Sequence, residues 1–161
     1  MIVTPELDRL DLSILRSLQQ DGRLTCDALG QQVGLSPSTV LRRIKRLEST
    51  GVIDRYVALV RPEAVGLGLT AYVNVRIEKH TGSAKRNPMD LFRSSVLGWP
   101  EVVECAALTG EMDFLLRLLV ADMPAYACFM MDTLLQHPSV QDCKTSFVME
   151  RVKSTTAVAL S

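Results

Sequence analysis

The sequence predicts an α+β chain of two domains, a small helical one with a trailing strand and a second in which strands and helices alternate. Three observations carry this reading. Apolar residues recur at helical spacing three times within the first fifty positions, each run closed by glycine or turn chemistry. The stretch RPEAVGLG, ending at Gly68, breaks the periodicity. From Leu69 the pattern switches to two-residue alternation. The boundaries follow: 1–61, a hinge at 62–68, and 69–161.

In the first part, Leu7, Leu10, Ile14, Leu15 and Leu18 place a helix from Asp8 to Gln20, with Asp8 and Asp11 in the first turn, where the helix dipole favours carboxylates. Asp21-Gly22 ends it. A second helix spans Cys26 to Val33, capped by Thr25 and closed by Gly34, with Ala28, Leu29 and Val33 inward. Only a tight turn fits before Ser36, the N-cap of a third helix with Pro37 at its first position and Gly51 beyond its end. Val40, Leu41, Ile44 and Leu47 share one arc of that third helix. Ser38, Thr39, Arg42, Arg43, Lys45 and Arg46 fill the other, so Ser36 to Arg46 carries four basic residues and no acidic one in a chain of zero net charge. VIDRYVALV then predicts a wing strand or hairpin arm.

Three short helices, a tight turn and a trailing strand make a winged helix-turn-helix, whose second motif helix lies in the major groove. The candidate DNA contacts are Ser36, Ser38, Thr39, Arg42, Arg43, Lys45 and Arg46. The arginines suit phosphate or guanine, and Ser38 and Thr39 are placed to read bases.

In the second part, Ala71, Val73, Val75 and Ile77 alternate with Thr70, Tyr72, Asn74 and Arg76. Lys79 to Arg86 is a polar loop. Asn87-Pro88 opens a helix through Leu97, and Val102 to Thr109 and Phe114 to Val120 are strands around a Gly110–Asp113 turn. Pro124 to Gln136 is helical, and Val140 to Val152 a last strand. The order β-α-β-β-α-β is the ferredoxin-like arrangement. Two helices cover one sheet face, so the other is expected to pair with a second copy. Trp99-Pro100 is expected to pack at a helix-to-strand corner.

The bulk composition narrows the function. With 161 residues, 47% hydrophobic and 22% charged, the chain is a globular protein with room for two modest cores. No apolar run approaches the roughly 18 residues that span a bilayer. The acidic opening MIVTPELDRLD is no secretory signal, so a cytoplasmic location is expected. Cys26, Cys105, Cys128 and Cys143 form no CxxC pair. Reduced, mostly packed thiols are expected, with redox sensing by one of them the alternative. There is no P-loop, dinucleotide fingerprint or metal-ligand cluster, and His80 and His137 sit in loops without an acid or nucleophile at a telling spacing. No enzyme, cofactor or metal is expected, and the two histidines are expected to be exposed.

The chain from Leu7 to Thr156 resembles the leucine-responsive regulator/AsnC family of bacterial and archaeal transcription factors. The stretches that carry the resemblance are LDRLDLSILRSLQQDGR, VGLSPSTVLRRIKRLESTGVI, WPEVVEC, LTGEMDFLLRL and VADMPAY, in that order and spacing. The resemblance implies that the second domain is the family's amino-acid-sensing RAM module, with effectors held between dimers at a G-x-x-D turn, here Gly110 and Asp113. Gly110 admits a ligand carboxylate to backbone N–H groups, and Asp113 can accept from an α-ammonium. Glycine and aspartate are also ordinary turn formers, and that alternative stays open. Ala107, Leu135, Ser146 and Val148 are carried over as further lining. Met112 departs from an often aromatic position, which puts the choice of side chain in the pocket in doubt. The resemblance further implies double-stranded DNA with pseudo-palindromic sites, leucine or methionine as effector, and a homodimer assembling to an octamer. An effector-independent architectural DNA-binding protein, whose second domain only oligomerises, is the competing function.

Overall fold

The computed structural model describes residues 6–78 and 87–160. The predicted loop from Lys79 to Arg86, with His80, lies outside them. The chain divides into two compact units, Met1–Leu59 with Lys153–Ser161, and Val60–Val152.

The first unit is built on α1 (Arg9–Gln20), α2 (Cys26–Val33) and α3 (Pro37–Ser49). Asp8 is the N-cap of α1, and its carboxylate accepts from the Asp11 N–H at 2.8 Å while Asp11 accepts from the Asp8 N–H at 3.1 Å. This reciprocal capping box satisfies two of the helix's unpaired donors. Thr25 and Ser36 cap α2 and α3 as expected. Ile14, Leu15, Leu29, Val40 and Leu47 form the core, while Leu41, expected with them, is exposed.

Two glycines make the sharp turn between α2 and α3. Gly34 sits at φ 69°, a region that L side chains avoid. Gly30 is needed for space: a Cβ there would meet the Leu35 carbonyl oxygen at 2.6 Å. We expect Gly30→Ala to destabilise this unit by about 2 kcal/mol through overpacking against backbone that cannot move aside. Urea denaturation followed by circular dichroism checks this, and an unchanged midpoint refutes the close-approach account.

Three expectations change. VIDRYVALV forms no ladder among the described residues: Val52 and Ile53 fold back onto the Leu47 carbonyl (2.9 and 3.0 Å), and Val57, Leu59 and Val60 are exposed. β-propensity supplies no partner strand, and within the described chain there is none. Part of the hinge is ordered as a 3₁₀ turn, Pro62–Val65, closed by Gly66 at φ 82°. Residues 153–160, assigned by sequence to the second domain, pack into the first unit. The Gln19 amide brackets Val158, accepting from its N–H at 2.6 Å and donating to its carbonyl at 3.1 Å. Arg16 donates to the Leu160 carbonyl at 2.9 Å, and Leu160 packs against the helical core.

The second unit is ferredoxin-like. The strands β1 (Leu69–Ile77), β2 (Val102–Ala107), β3 (Phe114–Val120) and β4 (Val140–Phe147) form one antiparallel sheet in the order β2-β3-β1-β4. α4 (Pro88–Val96) follows β1. α5 (Met123–Phe129) follows β3 and runs on as a π-helical turn, Met130–Leu134. The helices share one sheet face: Phe92, Val96, Phe129, Met130 and Leu134 pack with Ala71, Val73, Val75, Phe114, Leu116 and Leu118. Tyr72, Asn74, Arg76, Leu115 and Arg117 lie on the opposite face.

β4 stops at Phe147 rather than Val152. The Val148 N–H still donates to the Thr70 carbonyl at 3.0 Å, and in that register Met149 falls opposite Leu69, the first residue of β1, so residues 150–152 run past the end of the strand they would pair with. Trp99 does pack at its corner, edge-on to Phe92 and Phe129 at 5.6 and 5.7 Å. His137 is not a free surface group. It stands edge-on to Phe92 at 5.4 Å, lies 3.0 Å from the Ser95 hydroxyl through Nε2, and accepts from the Ser139 N–H at Nδ1. Burial lowers its pKa and favours the neutral ring.

Candidate DNA-binding helix and ligand cleft

Of the predicted DNA contacts, the structure leaves some free and ties others down. At about 100° per residue, Ser38, Arg42 and Lys45 fall within an arc of about 60° on α3. All three are exposed, and neither Arg42 nor Lys45 is in an ion pair among the described residues. At the helix start, the Ser36 hydroxyl accepts from the Thr39 N–H and lies 3.2 Å from the Ser38 and 2.8 Å from the Thr39 hydroxyl. Ser36 is thus first a cap, and its hydroxyl cluster stands where the helix dipole is positive.

Arg43 and Arg46 are instead engaged by carboxylates of α1. Arg43 lies about 100° around the helix from Arg42. Its Nη1 binds Asp8 Oδ2 at 2.7 Å and Asp11 Oδ1 at 2.8 Å, and Arg46 Nη2 binds Asp11 Oδ2. Asp11 is fully buried and the Arg43 side chain is only 20% exposed. The Asp11 N–H, and next the Arg43 guanidinium, lower the Asp8 pKa to about 2. The two arginines therefore clamp α3 to the start of α1. The sequence carries no signal for this, because the partners are 32 and 35 residues apart.

In the second unit, Gly110 has φ 115°, a conformation that glycine supplies. Asp113 is engaged by backbone: its Oδ2 accepts from the Ile77 N–H at 2.7 Å, its own N–H donates to the Val75 carbonyl, and its carbonyl accepts from Leu108. These bonds fix the turn against the end of β1. Beside it lies an open cleft of about 660 Å³, lined by Arg76, Ile77, Glu78, Gly110, Glu111, Asp113 and Gln141. Arg76, Glu111 and Gln141 were not among the sequence candidates. Arg76 was legible only as one of the polar residues alternating in its strand.

The remaining candidates divide. Ala107 pairs with Phe114, beside the turn, and Leu135 stands at the end of the helix that leads into β4. Met112 is half-buried, with Sδ 4.0 Å from Arg76 Nη2. Ser146 pairs with Tyr72, and Val148 reaches Thr70, at the other end of the sheet. Thr70 to Ile77 is seven strand steps, about 23 Å. One chain does not bring Ser146 and Val148 to the Gly110 turn.

Cys105, Cys128 and Cys143 are not activated thiols. All four cysteines are free, and Cys105 and Cys128 are exposed rather than packed. The Cys128 thiol donates to Asp132 Oδ2 at 3.1 Å, which raises its pKa, and burial raises those of Cys105 and Cys143. Among the described residues no group of three or more metal-ligating side chains occurs, and no helix is long and apolar enough to cross a membrane.

Comparison with known proteins identifies both units. The winged helix-turn-helix DNA-binding family matches residues 7–54, and the Lrp/AsnC ligand binding domain matches residues 70–158. The Bkd operon transcriptional regulator of Pseudomonas aeruginosa is 39% identical over 91% of this chain and 94% of its own. The leucine-responsive regulatory protein of Escherichia coli K12 is 36% identical over 96% and 92%. Among solved structures, a transcriptional regulator from Neisseria meningitidis in complex with L-methionine is 46% identical over 96% and 97% of the two chains, with a TM-score of 0.90. An AsnC family regulator from Agrobacterium tumefaciens is 38% identical over 95% and 97%, with a TM-score of 0.84. These relatives regulate transcription, and the chain is no enzyme. A winged helix-turn-helix with a free cationic stripe, followed by a ferredoxin-like ligand-binding unit, makes this chain a member of the Lrp/AsnC family of DNA-binding transcriptional regulators.

Proposed function

We propose that this regulator is cytoplasmic and binds pseudo-palindromic double-stranded DNA through α3, and that leucine or methionine, bound at the Gly110 turn, tunes its assembly. The observation that carries the DNA half is the stripe of Ser38, Arg42 and Lys45, exposed on a helix whose other two cations are paired with carboxylates of α1. Two such helices, one from each subunit of a homodimer, lie about 34 Å apart and enter successive major grooves.

The effector half draws support from the match to a ligand-binding domain and from the L-methionine complex of the Neisseria relative. It also draws on the distribution of the lining residues. Gly110, Met112 and Asp113 stand at one end of the sheet and Ser146 and Val148 at the other, so a pocket using both sets is completed by a neighbouring chain. A ligand that bridges chains favours the larger assembly by mass action. The sheet face carrying Tyr72 and Leu115 takes a second copy, and four such dimers make an octamer.

Size-exclusion chromatography with light scattering, with and without each of the twenty amino acids, tests this. The expected result is a dimer or a multiple of it whose mass changes with an apolar amino acid. A monomer throughout refutes the assembly. An unchanged oligomer that titrates silently with every amino acid leaves the architectural reading in its place.

A further inference from the structure

The cleft beside Gly110 contains a guanidinium that the fold does not fully use. Arg76 is on β1, and its side chain is 31% exposed. Its Nη2 donates to Glu111 Oε1 at 2.5 Å, while its Nε is buried and has no acceptor among the described residues. Buried donors are almost always paired, and a guanidinium beside a carboxylate usually engages both corners of its fork. Here only one corner is engaged.

Glu111 is a weak holder. It is 71% exposed, and among the described residues its only other cation is Lys144, at 3.8 Å. The strand paired with Arg76 is irregular. The β1–β4 register shifts between Arg76 and Ile77, because Asp142 faces Arg76 while Val140 faces Ile77, leaving Gln141 as the extra residue. Bulges of this kind bend a strand and redirect its side chains, and they are over-represented next to functional sites. Gln141 itself lines the cleft. Also lining the cleft, Asp113 uses Oδ2 for the Ile77 N–H, and its Oδ1 has no partner among the described residues.

We propose that Arg76 receives the α-carboxylate of the amino-acid ligand and that Glu111 competes with that carboxylate for the same guanidinium. This deepens the reading that an amino acid binds at the Gly110 turn, and rests on it. On binding, Glu111 swings toward solvent and Lys144, and the ligand carboxylate takes Nη2 and Nε together. The ligand ammonium lies toward Asp113 Oδ1. A zwitterion matches this arrangement of charge at both ends. An amino acid whose carboxylate is masked leaves the fork half-filled and does not displace Glu111.

Isothermal titration of the full-length chain tests this with L-methionine and L-methioninamide as probes. L-Methionine should bind the unmodified chain and L-methioninamide at least about tenfold more weakly. Arg76→Gln should weaken L-methionine by about tenfold or more and leave L-methioninamide unchanged, with Arg76→Lys in between, since lysine keeps the charge and loses the fork. Glu111→Gln should tighten L-methionine by about threefold, the scale of an exposed ion pair. A purely structural Arg76–Glu111 pair predicts the reverse for that last variant, no gain or a loss. If Arg76→Gln fails to fold, Arg76→Lys and Glu111→Gln still decide the matter. If neither L-methionine nor any other amino acid binds the unmodified chain, the underlying reading fails and this one with it. If L-methionine binds and Gly110→Val abolishes it while Arg76→Gln and Glu111→Gln change nothing, only the role of Arg76 is overturned.

Discussion

Replacing Asp11 with alanine lowers the stability of the DNA-binding unit by about 3 kcal/mol, at the lower end of what breaking a buried ion pair costs. Asp11 is fully buried and joins three groups: Arg43, Arg46 and the Asp8 N–H. Without it, Arg43 stays four-fifths buried with only Asp8 as partner, and its Nε already lacks an acceptor. Asp11→Asn loses less, because an amide oxygen still accepts from the Asp8 N–H. A loss of this size is a large fraction of the 5–15 kcal/mol that holds an ordinary domain folded. The same cluster sets an acid limb. The pKa of Asp8 falls from 3.8 to about 2 on folding, so its contribution is complete above the unfolded value and is lost as pH falls toward about 2. Asp8→Asn should flatten that limb. Urea melts by circular dichroism at pH 7, repeated at steps down to acid, measure both effects. An Asp11→Ala midpoint equal to that of the unmodified chain would show that the clamp holds nothing.

The double variant Arg42→Ala, Lys45→Ala keeps its fold and loses DNA affinity by about thirtyfold or more, because each lost contact to phosphate or base contributes about 1–3 kcal/mol. Both side chains are exposed and make no ion pair among the described residues, so truncation leaves no buried charge behind. The slope of log affinity against log salt should shrink by about 1 for each phosphate contact removed. Arg43→Ala should behave in the opposite sense, lowering the melting temperature with a smaller change in salt slope. Fluorescence anisotropy on an operator fragment across a salt series separates the two. Equal affinity and slope for the double variant would mean that another surface faces the groove.

These two variants mark where the sequence stopped being informative. The helices of the first unit, the caps Thr25 and Ser36 and the glycines at 34 and 51 follow from rules that act within about four residues and are found where the pattern puts them, while Asp8, expected in the first turn, is the N-cap of α1. The alternation from Thr70 to Ile77 likewise predicts β1 and its buried face, whereas Phe114 to Val120, nearly continuous in apolar residues, predicts a strand and leaves its buried side to the tertiary structure. Amphipathic periodicity also separated apolar from cationic on α3. It could not tell Arg42 from Arg43, since both lie on the polar arc. Which cation is free depends on a carboxylate more than thirty positions away. The other errors share that cause. VIDRYVALV has the composition of a strand and no partner within the described chain. β4 ends within two residues of the start of β1, and residues 153–160 attach to α1 through backbone groups that every residue possesses. Gln141 stands at a one-residue register shift between strands far apart in sequence, and that pairing sets it beside Arg76 in the cleft. The sequence by itself determined the fold class, the element order and the family. The tertiary structure decided which charges are tied down and which are left to meet DNA and ligand, because hydrogen-bond and ion-pair partners are chosen by distance in space, and separation along the chain does not encode it.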